Sequence, residues 1–418
     1  MLHHPAHLGY ALIVCLMIFI AFPCTARAQT RAANHFLGVL SPYSGRLTLG
    51  DRLATHGFIS QGFLWSSGNN YLAQSKKGSF EFTEVGLSIA ADLGGGFTAG
   101  IQFFSRDLGP TGGYTPQVDW AYLGYKWRDW LGIRLGRVKI PFGLYNEMSD
   151  IDAARVPILL PQSIYQIENR QFLLAQTGAE ISGIIPLARA GELEYSAYAG
   201  TLYTDISSTP NINSLHVPYL AGGRLLWRTP LKGFTFGSSA LAGELESNAT
   251  LSQKQIDTFA ASGVLFPSGF DGKIENTVSA VFVAASAEYV RGGLLVAAEY
   301  SRRYIENTSS VPATIPKAKT TNEKAYLMAS YEFLEWFTGG IYYSIDFKDI
   351  DLRSHFDKTQ HDLAATLRFN VGAHFVLKIE GHYLNGTAVL SPALNDNRPN
   401  SESKKNWALL LTKATVTF

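Results

Sequence analysis

The chain has 418 residues, with 35 Lys and Arg against 34 Asp and Glu, 46% hydrophobic residues and two cysteines. So level a charge gives no basic face for a polyanion, and no nucleic acid partner is implied. Both cysteines, Cys15 and Cys24, lie in the first 28 residues, so disulfides cannot hold the remainder together.

Residues 11–22 (ALIVCLMIFIAF) form an unbroken apolar run, followed by Ala26-Arg27-Ala28. A short apolar stretch ahead of a small-residue pattern is an export signal, so the mature chain is expected to start at Gln29. The segment before the run holds His3, His4 and His7 but no Lys or Arg, and the rival reading is an uncleaved anchor helix. Loss of residues 1–28 removes one base, Arg27, and leaves 34 basic against 34 acidic residues. No linker, composition shift or charge block divides the rest of the chain. It therefore reads as a secretory signal peptide (1–28), an N-terminal periplasmic segment (29–53) and one large domain (54–418).

Past Gln29 no apolar run is long enough for a transmembrane helix. What recurs is a segment of period-two alternation. Phe97, Ala99, Ile101 and Phe103 alternate with Thr98, Gly100 and Gln102, and Val281, Val283, Ala285, Ala287 and Tyr289 alternate with Phe282, Ala284, Ser286 and Glu288. Sixteen such segments can be counted. Short links at 92–96, 128–129, 188–191, 229–233, 291–292, 334–335 and 370–372 alternate with long ones at 66–78, 107–115, 140–172, 202–217, 246–275, 306–321, 348–357 and 385–405. Tight turns on one rim and long loops on the other define an all-β, transmembrane antiparallel barrel of about 16 strands, with short periplasmic turns and long extracellular loops. A barrel of that size is too wide for side chains to fill. Trp127, Trp130, Trp227 and Trp336 flank short turns, and Trp65, Trp120 and Trp407 sit at long-loop strand ends; two such belts match the two headgroup zones.

The third long link breaks the pattern. A short strand (WLGIRLGRVK) leads into MSDIDAARVPILLPQSIYQIENR, residues 148–170, where Pro157 and Pro161 forbid a ladder. Ile151, Val156, Ile158, Leu159, Leu160, Ile164 and Ile167 make it too apolar to lie in water, so it is expected to fold into the lumen and narrow it. Asp150, Asp152, Arg155, Glu168 and Arg170 are then candidates for the pore constriction. Arg134, Arg224, Arg228, Arg303 and Arg368 are candidates for a basic pore wall, because an arginine on the lipid face costs about 2–4 kcal/mol at the midplane. The competing reading pairs them with inward Glu192, Glu194, Glu288, Glu299 and Asp362 to stiffen the wall. The final strand, WALLLTKATVTF, should turn Val416, Ala414, Thr412 and Leu410 to lipid and Thr417, Thr415 and Lys413 inward, with Phe418 as an assembly signal.

Other chemistries find little support. Lumen-side His374 and His382 lie about 25 Å apart along a strand, too far for one metal, and Gly94-Gly95-Gly96 is a turn with no helix after it. No G-x-S-x-G elbow is present; Ser354-His355 near Asp357 sits in a loop. No catalytic residue, metal or cofactor is assigned.

The stretch G-R-V-K-I-P-F-G (136–143) resembles the strand end of the phosphate-selective porin O and P family, in which G-R-x-K-x-P-F-G leads into a long loop. The flanking VDWAYLGYKWRDW (118–130) and terminal Phe418 fit as well. The resemblance implies a Gram-negative outer-membrane porin, a homotrimer whose third long loop folds inward. Its implied partners are outer-membrane lipid and lipopolysaccharide, the outer-membrane assembly machinery, and small solutes or ions. An arginine ladder and a lysine cluster in the pore, as the resemblance implies for phosphate-selective members, would fall on Arg134, Arg137 and Lys139, which adds Arg137 and Lys139 to the pore-wall candidates. The mixed charges of the third loop, however, argue against a dedicated phosphate trap and for a transverse field. An exopolysaccharide-export or structural barrel, and a barrel enzyme, stand as the alternatives.

Overall fold

The structure is a computed structural model that describes residues 46–48, 52–202, 212–261 and 263–418. The expected signal peptide and nearly all of the segment 29–53 lie outside the described residues. A short strand β1 (Arg46–Thr48) pairs with the base of β2 (Leu53–Ser67). There follow β3 (Thr83–Gly94), β4 (Phe97–Asp107), β5 (Gln117–Arg128), β6 (Leu131–Lys139), β7 (Ala175–Pro186) and β8 (Glu192–Thr201). The next five are β9 (Ile212–Arg228), β10 (Phe234–Thr250), β11 (Lys273–Arg291), β12 (Leu294–Ser309) and β13 (Ala318–Leu334). The last four are β14 (Phe337–Phe347), β15 (Thr359–Val371), β16 (Phe375–Gly386) and β17 (Asn406–Thr417). From β2 to β17 each strand pairs antiparallel with the next, and β17 pairs back onto β2, from Ala408↔Ser67 to Thr417↔Phe58. Sixteen strands thus close a barrel with no free edge, the one sheet arrangement that satisfies every backbone group in lipid.

Side chains obey the period of two. On β17, Leu410 and Val416 are exposed outward while Lys413, Thr415 and Thr417 are buried inside. Trp127, Trp130, Trp227 and Trp336 are exposed around the short-turn rim. On the opposite rim the expectation holds only for Trp65; Trp120 and Trp407 are buried. A register shift between Gln102 and Phe103 opposite β5 sits beside Trp120, and Trp407 packs at 5.5 Å on Tyr71 and donates from Nε1 to the Gly386 carbonyl at 3.0 Å.

Strands β9 to β13 are 17, 17, 19, 16 and 17 residues long. They run into stretches that the alternation assigns to loops at 202–217, 246–275 and 306–321. About ten tilted residues cross the hydrocarbon; beyond it both faces meet water, so the ladder continues after the apolar alternation has stopped.

The lumen is occupied by chain. The third loop, 140–174, leaves β6 and crosses to the inner faces of β10 to β17. Its Phe142, Leu160, Ile164 and Tyr165 share one buried cluster with Leu241, Ala284, Ala297, Met328 and Tyr342 of the wall. Its tip, Ile158 and Leu159, joins a second cluster with Leu64, Leu384, Leu409 and Leu411. Loops 68–82 and 387–405 also contribute to that cluster, through Tyr71, Leu72 and Leu390. Those two loops hold each other: Asn70 N donates to Asn395 Oδ1 at 2.9 Å and Asn395 Nδ2 to the Asn70 carbonyl at 3.0 Å.

Candidate functional site: the inward loop and its anchors

The G-R-V-K-I-P-F-G stretch is where the strand gives way to the loop. Asn146 straps the two legs together, its Nδ2 donating to the carbonyls of Ile140 at 2.8 Å and Leu173 at 2.6 Å. Gly143 takes φ 64°, and a Cβ there would lie 2.5 Å from the Tyr165 hydroxyl and 2.8 Å from Glu299 Oε1. Only glycine fits both the left-handed backbone and the approach to those oxygens.

The charged residues of the loop are anchored to the wall. Asp150 accepts from Lys139 Nζ at 2.6 Å and Gln102 Nε2 at 2.6 Å, with Arg170 at 3.9 Å. Asp152 accepts from Lys378 Nζ at 3.0 Å and Thr415 Oγ1 at 2.7 Å, with Lys413 at 3.6 Å and Arg155 at 3.9 Å. Burial pushes the Asp152 carboxyl up, but Lys378, Lys413 and Arg155 outweigh it and hold it below the usual range. Arg155 donates to the carbonyls of Pro157 and Ile158, and Arg170 pairs with Asp119 and stacks 4.1 Å over the Phe104 ring. From the sequence, Asp150, Asp152 and Arg155 are expected to face the narrowest water; in the structure they are only 3%, 1% and 8% exposed. Asp152 takes its bases from β16 and β17 and Asp150 from the end of β6, partners that residues 148–170 do not contain. Glu168 differs. It is exposed on the loop, yet the surrounding protein thins its water, and that burial raises its carboxyl above the ordinary range against the pull of Lys348.

The bases of the wall are also engaged. Arg134 donates twice to Glu180 Oε1, at 3.1 and 2.5 Å. Arg137 donates to the Asp119 carbonyl at 2.9 Å, and Lys139 to the Glu147 carbonyl at 2.6 Å. Arg224 bonds Glu147 Oε2 at 2.6 Å and the Gly143 carbonyl at 3.2 Å. Arg228 bridges Glu192 and Glu194, both at 2.6 Å. Arg303 donates to the Ile164 carbonyl at 3.0 Å and Arg368 to that of Arg155 at 3.0 Å. Lys139, Arg224, Arg303 and Arg368 therefore grip the third loop, through Glu147, Gly143, Ile164 or Arg155.

Two carboxylates complete the grip. Glu299 accepts from Leu144 N at 2.9 Å, Ser286 Oγ at 2.5 Å, Tyr326 OH at 2.8 Å and also from Tyr165 OH. Glu380 accepts the tip amides Ile158 N at 2.7 Å and Leu159 N at 2.9 Å, along with Thr366 Oγ1 at 2.6 Å. Behind it His382 lies between Glu380, at 3.0 Å, and Asp362, at 2.9 Å. The period of two places Glu299 inward, but its role depends on a loop more than a hundred positions away, which no local pattern encodes.

No protein-family profile matches the chain, and no curated protein matches it in sequence. Solved structures do match in fold. An anion-selective porin from Comamonas acidovorans aligns over 88% of this chain and 99% of its own at 11% identity, with a TM-score of 0.53. OmpF from Salmonella typhi, solved with daunomycin, aligns over 89% and 100% at 12% identity and 0.54. The outer membrane channel DcaP of Acinetobacter baumannii aligns over 90% and 100% at 12% identity and 0.51. At such identities the likeness is one of fold: this chain folds as the sixteen-stranded barrel of the porins does.

Proposed function

We propose that the chain is a porin of a Gram-negative outer membrane, a channel for passive diffusion of small hydrophilic solutes or ions. The observation that carries this reading is the closed barrel crossed by the inward loop 140–174, which is tied by side chains to the opposite wall. A loop held that way sets the cross-section left for solutes, and Glu168 with the half-exposed Arg228 and Glu192 contributes charges of both signs to the water column. The reading includes export by a cleaved signal at 1–28, Phe418 as part of the assembly signal, and contact with lipid and lipopolysaccharide. It also includes a homotrimer packed through the small outward residues Val281, Val283, Ala285 and Ala287 of β11. The test is a planar bilayer: purified protein alone should give stepwise ion conductance, and reversal potential in a salt gradient reports the preferred sign. An enzyme barrel gives no conductance, and an exporter conducts only with periplasmic partners. Crosslinking that never exceeds one chain overturns the trimer.

A further inference from the structure

Between the third loop and the wall of β3 and β4 lies a cavity of about 40 Å³. That is room for about three waters. Its lining includes Glu84 and Arg106 of the wall and Asp150, Arg155 and Arg170 of the loop, with Leu159 and Leu160 among the apolar residues. Both acids are already engaged: Glu84 Oε2 accepts from Lys413 at 2.5 Å, and Asp150 from Lys139. Two arginines are not fully engaged. Arg155 uses its Nη1 on loop carbonyls and Arg106 its Nη2 on the Ile167 carbonyl at 3.5 Å, while Arg155 Nε and Arg106 Nη1 are buried without a hydrogen-bond partner. Arg155 itself is more than nine-tenths buried.

Charge makes the same point. The ion pairs that reach this cavity join four acids, Glu84, Asp119, Asp150 and Asp152, to five bases, Lys139, Arg155, Arg170, Lys378 and Lys413. Arg106, across from Glu84 in the β3–β4 register, is a sixth base. A surplus of positive charge is thus enclosed where water is scarce, and buried charge of one sign is costly unless it is compensated.

We propose that this cavity binds one small monovalent anion of halide size, which accepts from Arg106 Nη1 and Arg155 Nε and clamps the loop to the wall. Donor count favours a single-atom anion over an oxyanion such as phosphate: two unpartnered N–H groups cannot satisfy four oxygens, and those left over would lie against the carboxylates of Glu84 and Asp150. A weakly hydrated halide suits two N–H donors beside leucines. The site lies in the seam between loop and wall, and its occupancy does not depend on whether the barrel conducts.

The direct test is anomalous scattering from crystals of the mature chain grown or soaked in bromide: a peak between Arg106 and Arg155 is expected, and its absence overturns the proposal. In detergent, the midpoint of heat-induced loss of the compact gel form should rise with chloride or bromide and saturate, relative to sodium gluconate at equal ionic strength. Equal midpoints in halide and gluconate overturn it as well. Arg106→Gln, which removes one donor but leaves the loop's own ion pairs, should lose the halide-dependent part of the shift; a variant that keeps the full shift refutes the assignment. An equal shift with phosphate refutes the halide-size limit. The bromide peak and the salt comparison need no variant.

Discussion

Glu299→Ala is the sharpest test of how the loop is held. The carboxylate receives four donors: one loop amide, one loop hydroxyl and two wall hydroxyls. A hydrogen bond to a charged group contributes about 1.5–3 kcal/mol, and only the two bonds from the loop are lost when it is released, so about 3–6 kcal/mol is the working figure. It corresponds to a shift of about 10²–10⁴-fold in the balance between the docked and the released loop. The barrel ladder is untouched, so the variant should still assemble and run as a compact band on an unheated gel. Protease cleavage within 140–174 and single-channel conductance both report release. Each should rise in Glu299→Ala, and less so in Glu299→Gln, which keeps one acceptor oxygen. Parent-like cleavage and conductance in the alanine variant would refute the claim that Glu299 holds the loop.

Excising 151–168 should raise single-channel conductance more than any point variant; unchanged conductance would place the loop outside the path. Asp152→Asn leaves Lys378, Lys413 and Arg155 without their shared carboxylate, and breaking such a buried network costs about 3–5 kcal/mol; its heat-modification midpoint should fall well below that of the parent. For Glu168 the sign comes from its raised carboxyl: as pH drops, it loses its negative charge earlier than an ordinary glutamate, so cation preference measured by reversal potential should decline in that window. Glu168→Gln should start at the acid-like value and not respond there. Gly57→Val should impair assembly, because a Cβ at Gly57 would lie 2.3 Å from the Phe418 ring; normal outer-membrane yield would show that the ring can relocate.

The strands, their alternation and the rim of each turn are legible because lipid on one side and protein on the other impose a period of two that local sequence carries. The inward loop is legible from its prolines and apolar residues, which fit neither strand nor solvated loop. Legibility ends where partners come from distant strands. Asp152 reads locally as a free charge; its fate is set by Lys378 and Lys413, brought to it by barrel closure. The inward folding of 68–82 and 387–405 leaves only faint signs, such as Tyr71-Leu72-Ala73 and Leu390 in otherwise polar stretches. Residues in β9 to β13 beyond the lipid zone read as loop because the signal that marks a strand there is a property of the membrane rather than of the ladder.

The seam between β2 and β17 has a consequence in time. Gly57 N donates to the Phe418 carbonyl at 2.7 Å, and Phe418 N returns the bond to Gly57 at 2.9 Å. The first barrel strand pairs at once with β3 but finds its second partner only in β17, the last of the barrel strands. Any fragment lacking the C-terminus, however native its hairpins, keeps two open edges of unpaired amides and carbonyls, which are templates for pairing with another chain. Closure is all-or-none with respect to chain length: a truncated chain would yield not a leakier barrel but an aggregating sheet, and β2 must be kept from other strands until the whole chain has been delivered.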